Sequence, residues 1–277
     1  MFHRLHMAFR YYLYYWFGQL GLLGLTDRIR YTLHCRRTRD SNSAFVLEHP
    51  DYPLPPPDLA YDAYNHADWR FYRDSGRDQA RVLIEWMAEF APMREPLHVL
   101  EWGCGPGRVL RHLREHERNR ELAIHGSDYN RASVDWCREH LQEITFKTNG
   151  AEPPLPFADA SMDCIYAISV FTHLSESMQR AWAMDWLRVL KPHGIVIFTT
   201  HGLHFRDYLV QGERETFDHG NVVVRRFVKE GRKAFAAFHP ASFVRDQLFK
   251  NRPVHMHRED STSYGVFQDV WVIGNAS

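Results

Sequence analysis

The stretch Val99-Leu100-Glu101-Trp102-Gly103-Cys104-Gly105-Pro106-Gly107-Arg108-Val109 decides the fold of this 277-residue chain. An apolar segment ends on an acidic residue and continues into three glycines at every second position. Glycine lets the backbone turn tightly and lets a ligand come close to the main chain. The helix start that follows exposes unpaired N–H groups. The pattern therefore predicts a nucleotide-sized cradle at the carboxyl end of a strand.

The spacing and charge of this loop select between two classes of nucleotide cofactor. Dinucleotide-binding loops read G-x-G-x-x-G, because a pyrophosphate sits on the helix N-terminus. Here Glu101 leads glycines at 103, 105 and 107, so that spacing is not met in register. An acidic residue before the first glycine repels a pyrophosphate and suits a cationic ligand. S-adenosylmethionine carries a sulfonium and an ammonium group and no phosphate, so the loop favours it over NAD.

The segment from Leu100 to Gly107 resembles the first motif of the class I S-adenosylmethionine-dependent methyltransferases, and the resemblance covers residues 97–202. It implies a Rossmann-like, doubly wound α/β fold with a mostly parallel seven-stranded sheet and an antiparallel last strand. It also implies S-adenosyl-L-methionine as the cofactor. The segment Ile168–Leu174, with Asp163 before it and Thr199–Gly202 after the next strand, is similar to a subgroup often met beside sugar-modifying and natural-product enzymes. The resemblance therefore implies a small molecule or glycan as the acceptor.

Strand and helix patterns alternate from residue 97 onward, as expected for a parallel sheet with helices on both faces. A helix is expected after Gly107, and the final pair of strands would form a hairpin beside the sheet. The predicted strands are Leu97–Glu101, Leu122–Ser127, Ile144–Thr148, Cys164–Val170, Ile195–Thr200, Val254–His257 and Val266–Ile273, and the predicted helices are Arg131–Leu141 and Glu176–Leu190.

The chain divides into an N-terminal part, residues 1–59, and a methyltransferase domain, residues 60–277. The domain is expected to begin with a leading helix at 60–90 and to carry an insertion at 203–239, and these two would cover the site. The aromatic run Tyr11–Leu25 is too short for an ordinary bilayer span. Two interpretations of this run stay open: it packs on the domain or on a second subunit, or it contacts a membrane surface. Residues 26–60, basic and then proline-rich, are predicted to be a linker.

Several side chains are expected to bind the cofactor. Asp128 lies about twenty residues after the glycine loop, where a carboxylate reaches the ribose, although it could simply cap the next helix. Glu101 is placed to meet the ammonium group, as the resemblance implies. Asn149 is a candidate for the adenine and is equally suited to a plain turn. The leading helix could hold the methionine carboxylate or be a solvated packing helix. The full expected set is Glu101, Gly103, Gly105, Gly107, Asp128, Tyr129, Asn149, Ser169, Tyr72, Ser75 and Arg77.

His173 and His201 are the candidate catalytic bases. A hydroxyl acceptor must lose its proton during methyl transfer, and histidine titrates in the useful range. The alternative for both residues is a structural or helix-capping role. The pairs His201-x-x-His204 and His255-x-His257 lie in no cluster with metal-ligand spacing, so no metal is expected.

Composition limits the partners and the compartment. The formal net charge is zero and the sequence pI is near 7.3, which argues against broad attraction to nucleic acid. The four cysteines show no paired spacing, so we expect reduced thiols and a cytoplasmic protein, with membrane-surface contact through residues 11–25 as the open alternative. A scaffold that binds the cofactor without catalysis, and an NAD-dependent oxidoreductase, remain the rival functions.

Overall fold

Nine strands and eight helices, with short 3-10 and π-helical turns between them, are found in residues 13–117, 120–261 and 267–275, which the computed structural model describes. The strands are β1 (Leu97–Trp102), β2 (Leu122–Asp128), β3 (Thr145–Thr148), β4 (Met162–Ala167), β5 (Leu190–Thr200), β6 (Val223–Arg225), β7 (Ala236–Phe238), β8 (Val254–Ser261) and β9 (Gln268–Gly274). The helices are α1 (13–19), α2 (Leu23–Arg37), α3 (Arg39–Glu48), α4 (Pro57–Tyr64), α5 (Trp69–Phe90), α6 (Arg131–His140), α7 (Glu176–Val189) and α8 (Gln211–Asp218).

The main sheet has seven strands in the order β3-β2-β1-β4-β5-β9-β8. Strands β1 to β5 are mutually parallel, whereas β9 runs antiparallel to both β5 and β8. The last strand of the chain is therefore the antiparallel one, and the predicted fold class is confirmed. Strand β6 pairs only with β7, in a separate hairpin within the predicted insertion.

Both faces of the sheet are buried, as a doubly wound fold requires. The adjacent residues Val99 and Leu100 of β1 are each fully buried, in separate hydrophobic clusters. On the second face, Trp102 packs against Trp182 and Trp186 of α7, with ring centroids 4.7 and 5.1 Å apart. This packing fixes the carboxyl ends of β1 and β4, where the site lies.

Two predicted helices differ from the sequence prediction: one is a 3-10 helix, and the other is divided into two helices. The segment after Gly107 is a 3-10 helix at Leu110–His116, in which His112 N donates to the Val109 carbonyl three residues earlier. The Leu110 amide at its start donates to the Glu101 carboxylate at 3.1 Å. The leading helix is divided into α4 and α5. Asn65, which ends α4, has φ 58°, and the Asp68 carboxylate accepts from Phe71 N to start α5.

The prediction of a linker over residues 26–60 is wrong for most of its length. Helices α2 and α3 occupy residues 23–48, and only the proline-rich stretch after them is extended. Phe45 of α3 is fully buried in a small aromatic core that also contains Tyr61 and Trp69. The arginines in this region obscured the helical spacing of its aliphatic side chains. The division into domains stays a prediction.

The N-terminal aromatic helix packs on the insertion through one side. The ring of Tyr15 contacts Phe227 edge-on with centroids 5.4 Å apart, and the Arg225 guanidinium lies 5.2 Å from the Tyr15 ring centre. Residues 11 and 12 of the aromatic run lie outside the described residues. In the described part of the chain, no helix has the length and apolar character needed to cross a bilayer.

Candidate active site

The glycine loop adopts a backbone that other residues would strain. Gly103, Gly105 and Gly107 have φ values of 76°, 49° and 73°, in the left-handed region. A Cβ at Gly103 would lie 2.5 Å from a methyl carbon of Val170, and one at Gly105 would lie 2.9 Å from the Tyr64 hydroxyl. The loop therefore needs glycine both for its turn and for the close approach of neighbouring groups.

Glu101 lies at the end of β1 and is almost fully buried. Its Oε2 accepts hydrogen bonds from the Tyr166 hydroxyl at 2.9 Å and from Leu110 N at 3.1 Å. Burial raises the pKa of the Glu101 carboxyl to about 8. Below that pH the carboxyl tends to keep its proton even with Arg108 in the neighbourhood, and a bound ammonium group would favour its charged form.

Asp128 shapes the glycine loop directly. Its Oδ2 accepts from Gly105 N and its Oδ1 from Asn130 N, both at 2.7 Å. Burial raises the pKa of this carboxyl, against the effect of those amides. Each oxygen retains a second lone pair that a ribose hydroxyl could use.

Asn149 lies beside Asp128 at the end of β3. Its Oδ1 accepts from the Ser127 hydroxyl and its Nδ2 donates to the Gly150 carbonyl, each at 2.6 Å. Its main-chain amide donates to the Asp128 carbonyl at 3.1 Å. The side chain is thus at the expected place, and neighbouring groups already use one acceptor site and one donor of its amide.

Helix α5 crosses the glycine loop closely, as the leading helix was expected to do. The Tyr72 hydroxyl donates to the Pro106 carbonyl at 2.8 Å. A Cβ at Gly76 would lie 2.2 Å from the Arg108 carbonyl oxygen, so α5 and the loop touch through their main chains. By contrast, the Arg77 side chain is mostly exposed and pairs with Glu115 at 2.8 Å. The structure does not bring Arg77 into the cradle.

Arg108, directly after the glycine loop, packs against α5. Its guanidinium is buried, donates to the Ser75 hydroxyl at 2.9 Å and to Gln79 Oε1 at 2.7 Å, and lies 4.5 Å from the centre of the Tyr64 ring. Among the described residues, Arg108 Nε has no hydrogen-bond partner. Sequence reasoning missed Arg108, although its place directly after Gly107 was an available signal.

Part of the insertion covers the cradle. We call residues 229–233 the roof loop. The Tyr129 hydroxyl, next to Asp128, donates to the Gly231 carbonyl at 3.2 Å, and Gly231 N donates to the His173 carbonyl at 3.0 Å. Lys233 pairs with Asp27 of α2 at 2.9 Å. The roof loop therefore joins the ends of β2 and β4 to the N-terminal helices.

Ser169, just beyond β4, holds a strained conformation. Its φ is 59°, which is uncommon for a residue with a side chain and concentrates at functional sites. Ser169 N donates to the Thr199 hydroxyl at 2.7 Å, and the Ser169 hydroxyl donates to Gln268 Oε1 at 2.8 Å. These bonds join the ends of β4, β5 and β9, and the hydroxyl is directed toward β9.

The two candidate bases, His173 and His201, follow β4 and β5. Nδ1 of His173 lies 2.8 Å from the Phe235 carbonyl oxygen, and Nδ1 of His201 lies 3.1 Å from that of Ala237. A carbonyl only accepts, so in each ring Nδ1 carries the proton and Nε2 of the neutral ring is an acceptor. Burial lowers both pKa values, that of His201 to about 3, so both rings are neutral at ordinary pH.

A third histidine joins this group. His239 N donates to the His201 carbonyl at 2.7 Å, and its ring is 1% exposed. Neither ring nitrogen has a hydrogen-bond partner among the described residues, and burial lowers the pKa of the ring to about 3. Sequence reasoning missed His239. Its only signal was a histidine before Pro240 at the end of the insertion.

The residues around the loop fit an adenosyl sulfonium. Glu101 offers a buried carboxyl to a cation, and Arg108 has an unpartnered nitrogen suited to a carboxylate. Of the three loop glycines, Gly103 is partly exposed, whereas Gly105 and Gly107 are buried. In the part of the chain that the structure describes, no group of three or more His, Cys, Asp or Glu side chains is placed to hold a metal ion.

Comparison with known proteins agrees with this geometry. Residues 99–194 match the family model described as a methyltransferase domain. The chain is similar to tRNA N(3)-methylcytidine methyltransferase trm140 of Schizosaccharomyces pombe, with 26% identity over 169 residues, or 54% of each protein. It is also similar to 24-methylenesterol C-methyltransferase 2 of Oryza sativa subsp. japonica, with 29% identity over 125 residues, 44% of this chain and 34% of that protein.

Among solved structures, a SAM-dependent methyltransferase from Methanosarcina mazei has the same fold, with a TM-score of 0.52 and 16% identity over 69% of this chain and 97% of that one. The sheet order, the glycine loop and the family match mark residues 99–194 as the matched part of a Rossmann-like S-adenosylmethionine-dependent methyltransferase domain, whose cofactor is S-adenosyl-L-methionine. The chain spans about half or less of the length of the two curated relatives.

Proposed function

We propose that the protein transfers a methyl group from S-adenosyl-L-methionine to a hydroxyl oxygen of a small-molecule or glycan acceptor. The observation that supports an oxygen acceptor is the fixed tautomer of His173 and His201. Both rings carry their proton on Nδ1, and Nε2 is left to receive another. A hydroxyl is a poor nucleophile until its proton is removed, so neutral imidazoles at the ends of β4 and β5 suit it.

The cofactor would be held by side chains on both sides of the glycine loop. Asp128 would accept from the ribose hydroxyls, and Glu101 from the ammonium group. Arg108, with Ser75, would bind the carboxylate, a role for which Arg77 is not placed. Asn149 would contact the adenine. Glu101, Asp128 and Asn149 lie at the carboxyl ends of β1, β2 and β3. Arg108 directly follows the glycine loop, and Ser75 lies on α5 within hydrogen-bond distance of it.

The chemistry asked of the protein is mainly alignment and proton removal. The bound cofactor supplies an activated methyl carbon on a positively charged sulfur. His173 Nε2 would accept the hydroxyl proton as the acceptor oxygen bonds to that methyl carbon in place of the sulfur. S-adenosylhomocysteine and a methyl ether result, and the imidazolium then returns its proton to water. His201 is the second candidate, and a weaker base, because burial lowers its pKa to about 3.

A panel of acceptors tests the proposal. Purified protein is incubated with S-adenosylmethionine and with hydroxyl compounds, amines or total tRNA, and S-adenosylhomocysteine is measured. We expect turnover with a hydroxyl-bearing small molecule or glycan. Turnover only with tRNA, as the name of one relative suggests, or only with amines, would contradict the oxygen acceptor. Cofactor binding without turnover on any acceptor would favour the scaffold.

A further inference from the structure

Helix α2 has two faces of different character. Asp27 on its inner face pairs with Lys233 of the roof loop, and Tyr31 packs on Tyr61 with ring centroids 4.9 Å apart. The outer face carries aliphatic side chains at a spacing of four residues: Leu25, Ile29 and Leu33 are 59%, 51% and 43% exposed. Residues four apart lie on one face of a helix. No described residue covers this row.

Helix α1 and the turn after it extend the same feature. Leu13, Trp16 and Leu20, spaced by three and four residues, are 37%, 60% and 67% exposed. The opposite side of α1 rests on Phe227, since a Cβ at Gly18 would overlap that ring. We call the exposed side chains the apolar stripe, and its members are Leu13, Trp16, Leu20, Leu22, Leu25, Ile29 and Leu33. These seven exposed apolar side chains lie within 21 consecutive residues, and a cluster of this kind marks an interaction surface.

Arginines border the apolar stripe. Arg28 and Arg36 lie near the aliphatic row on the helical repeat, and Arg30 and Arg37 flank its other side. All four are exposed, and none forms an ion pair with another described residue. Asp27 is the one acidic residue of α2, and Lys233 neutralises it. The outer surface is therefore apolar at its centre and cationic at its edges.

We infer that the apolar stripe and its arginines dock onto an anionic membrane surface. Aliphatic and tryptophan side chains enter the interface of a bilayer, and flanking arginines pair with acidic lipid headgroups. A second copy of the chain fits less well, because a symmetric contact would bring the arginines of both copies together without acids to pair them. RNA would use the arginines and leave the aliphatic row exposed.

Docking in this orientation has a consequence for the site. The inner face of α2 is joined to the roof loop through Asp27 and Lys233, and the roof loop is joined to His173 through Gly231. The membrane surface would then lie beside the cover of the acceptor site. This inference stands on the N-terminal surface alone and does not depend on the identity of the acceptor.

Vesicle co-sedimentation of the full chain tests the inference. The vesicles are phosphatidylcholine alone, or equal parts of phosphatidylcholine and phosphatidylglycerol. We expect binding to the anionic vesicles at least about tenfold stronger than to the neutral ones. The double change Ile29→Ser and Leu33→Ser should weaken binding to anionic vesicles by about tenfold or more. The change Arg28→Gln together with Arg36→Gln should also weaken it, by roughly fivefold for each arginine.

The matched control is Met184→Ser, which removes an exposed apolar side chain (74% exposed) from α7, outside the N-terminal helices. It should bind vesicles as the unchanged protein does. Absence of vesicle binding, or equal binding by the stripe variant, overturns the inference. A dimer detected by light scattering also overturns the inference if the change Ile29→Ser with Leu33→Ser dissociates it and the protein does not bind vesicles. Binding to tRNA that needs the arginines, without vesicle binding, overturns it in favour of nucleic acid.

Discussion

The two halves of the site are built in different ways. The cofactor half, at the ends of β1 and β2, is built around a main-chain loop: three glycines with positive φ, with the Gly105 amide bound to Asp128. The acceptor half, at the ends of β4 and β5, is formed by side chains that reach a distant segment. His173 and His201 bind carbonyls at Phe235 and Ala237, more than thirty residues away along the chain.

This difference implies that the cofactor half binds the cofactor, whereas the acceptor half selects the acceptor. A backbone cradle fixes one ligand shape and tolerates little change, because each glycine has a close neighbour. Side chains that meet an insertion can vary independently of the sheet, since loops tolerate substitution better than the elements they connect. We therefore expect changes in the acceptor half to alter turnover without altering cofactor affinity, and changes in the cofactor half to alter affinity or folding.

His173→Asn should produce the largest effect. The asparagine amide can still donate to the Phe235 carbonyl, as Nδ1 does, but it has no equivalent of Nε2. We expect turnover of the acceptor found in the panel to fall by about 10²–10⁴-fold. The affinity for S-adenosylmethionine, measured by calorimetry, should be unchanged.

A matched control for this substitution is His140→Asn, because Nδ1 of His140 also contacts a main-chain carbonyl, that of Trp136 at 2.9 Å on α6. It should leave turnover intact. If His173→Asn kept full activity, His173 would only hold the insertion in place. The claim that changes in the acceptor half alter turnover would then be contradicted.

Gly76→Ala should break the contact between α5 and the cofactor half. Alanine normally stabilises a helix relative to glycine, but here its Cβ would meet the Arg108 carbonyl oxygen. Overpacking of this kind costs about 1–3 kcal/mol of unfolding free energy, which urea denaturation would measure. The control is Gly212→Ala in α8, where a Cβ meets nothing within 4 Å. Stabilisation by both substitutions would show that the close crossing is absent.

The parts of the molecule that the sequence predicted are those that depend on neighbours in the chain. The glycine loop, the strand-end position of Asp128 and the parallel sheet follow from local turns, spacing and the handedness of crossovers. Arg108 was missed because its partners, Ser75 and Gln79, lie on a helix about thirty residues earlier. His239 was missed for the same reason, since only folding brings it to His201.

A smaller effect is expected in the pH dependence of cofactor binding. The raised pKa of Glu101, about 8, means that the free protein holds a proton there below that pH. If the ammonium group binds the charged carboxylate, the proton must leave, and affinity should rise by up to ~tenfold per pH unit toward pH 8. Calorimetry in buffers of different ionisation enthalpy would detect the released proton. Glu101→Gln should bind more weakly and show no such slope, whereas a slope retained in Glu101→Gln would exclude Glu101 as the titrating group.

Calorimetric titration of the protein and of Asp128→Ala with S-adenosylmethionine and with NAD tests the cofactor half most directly. S-adenosylmethionine should bind the unchanged protein and NAD should not, and Asp128→Ala should lose about 1–3 kcal/mol of binding free energy, as for a lost charged hydrogen bond. Binding of NAD, or undiminished affinity for S-adenosylmethionine in Asp128→Ala, would contradict the account of the cradle.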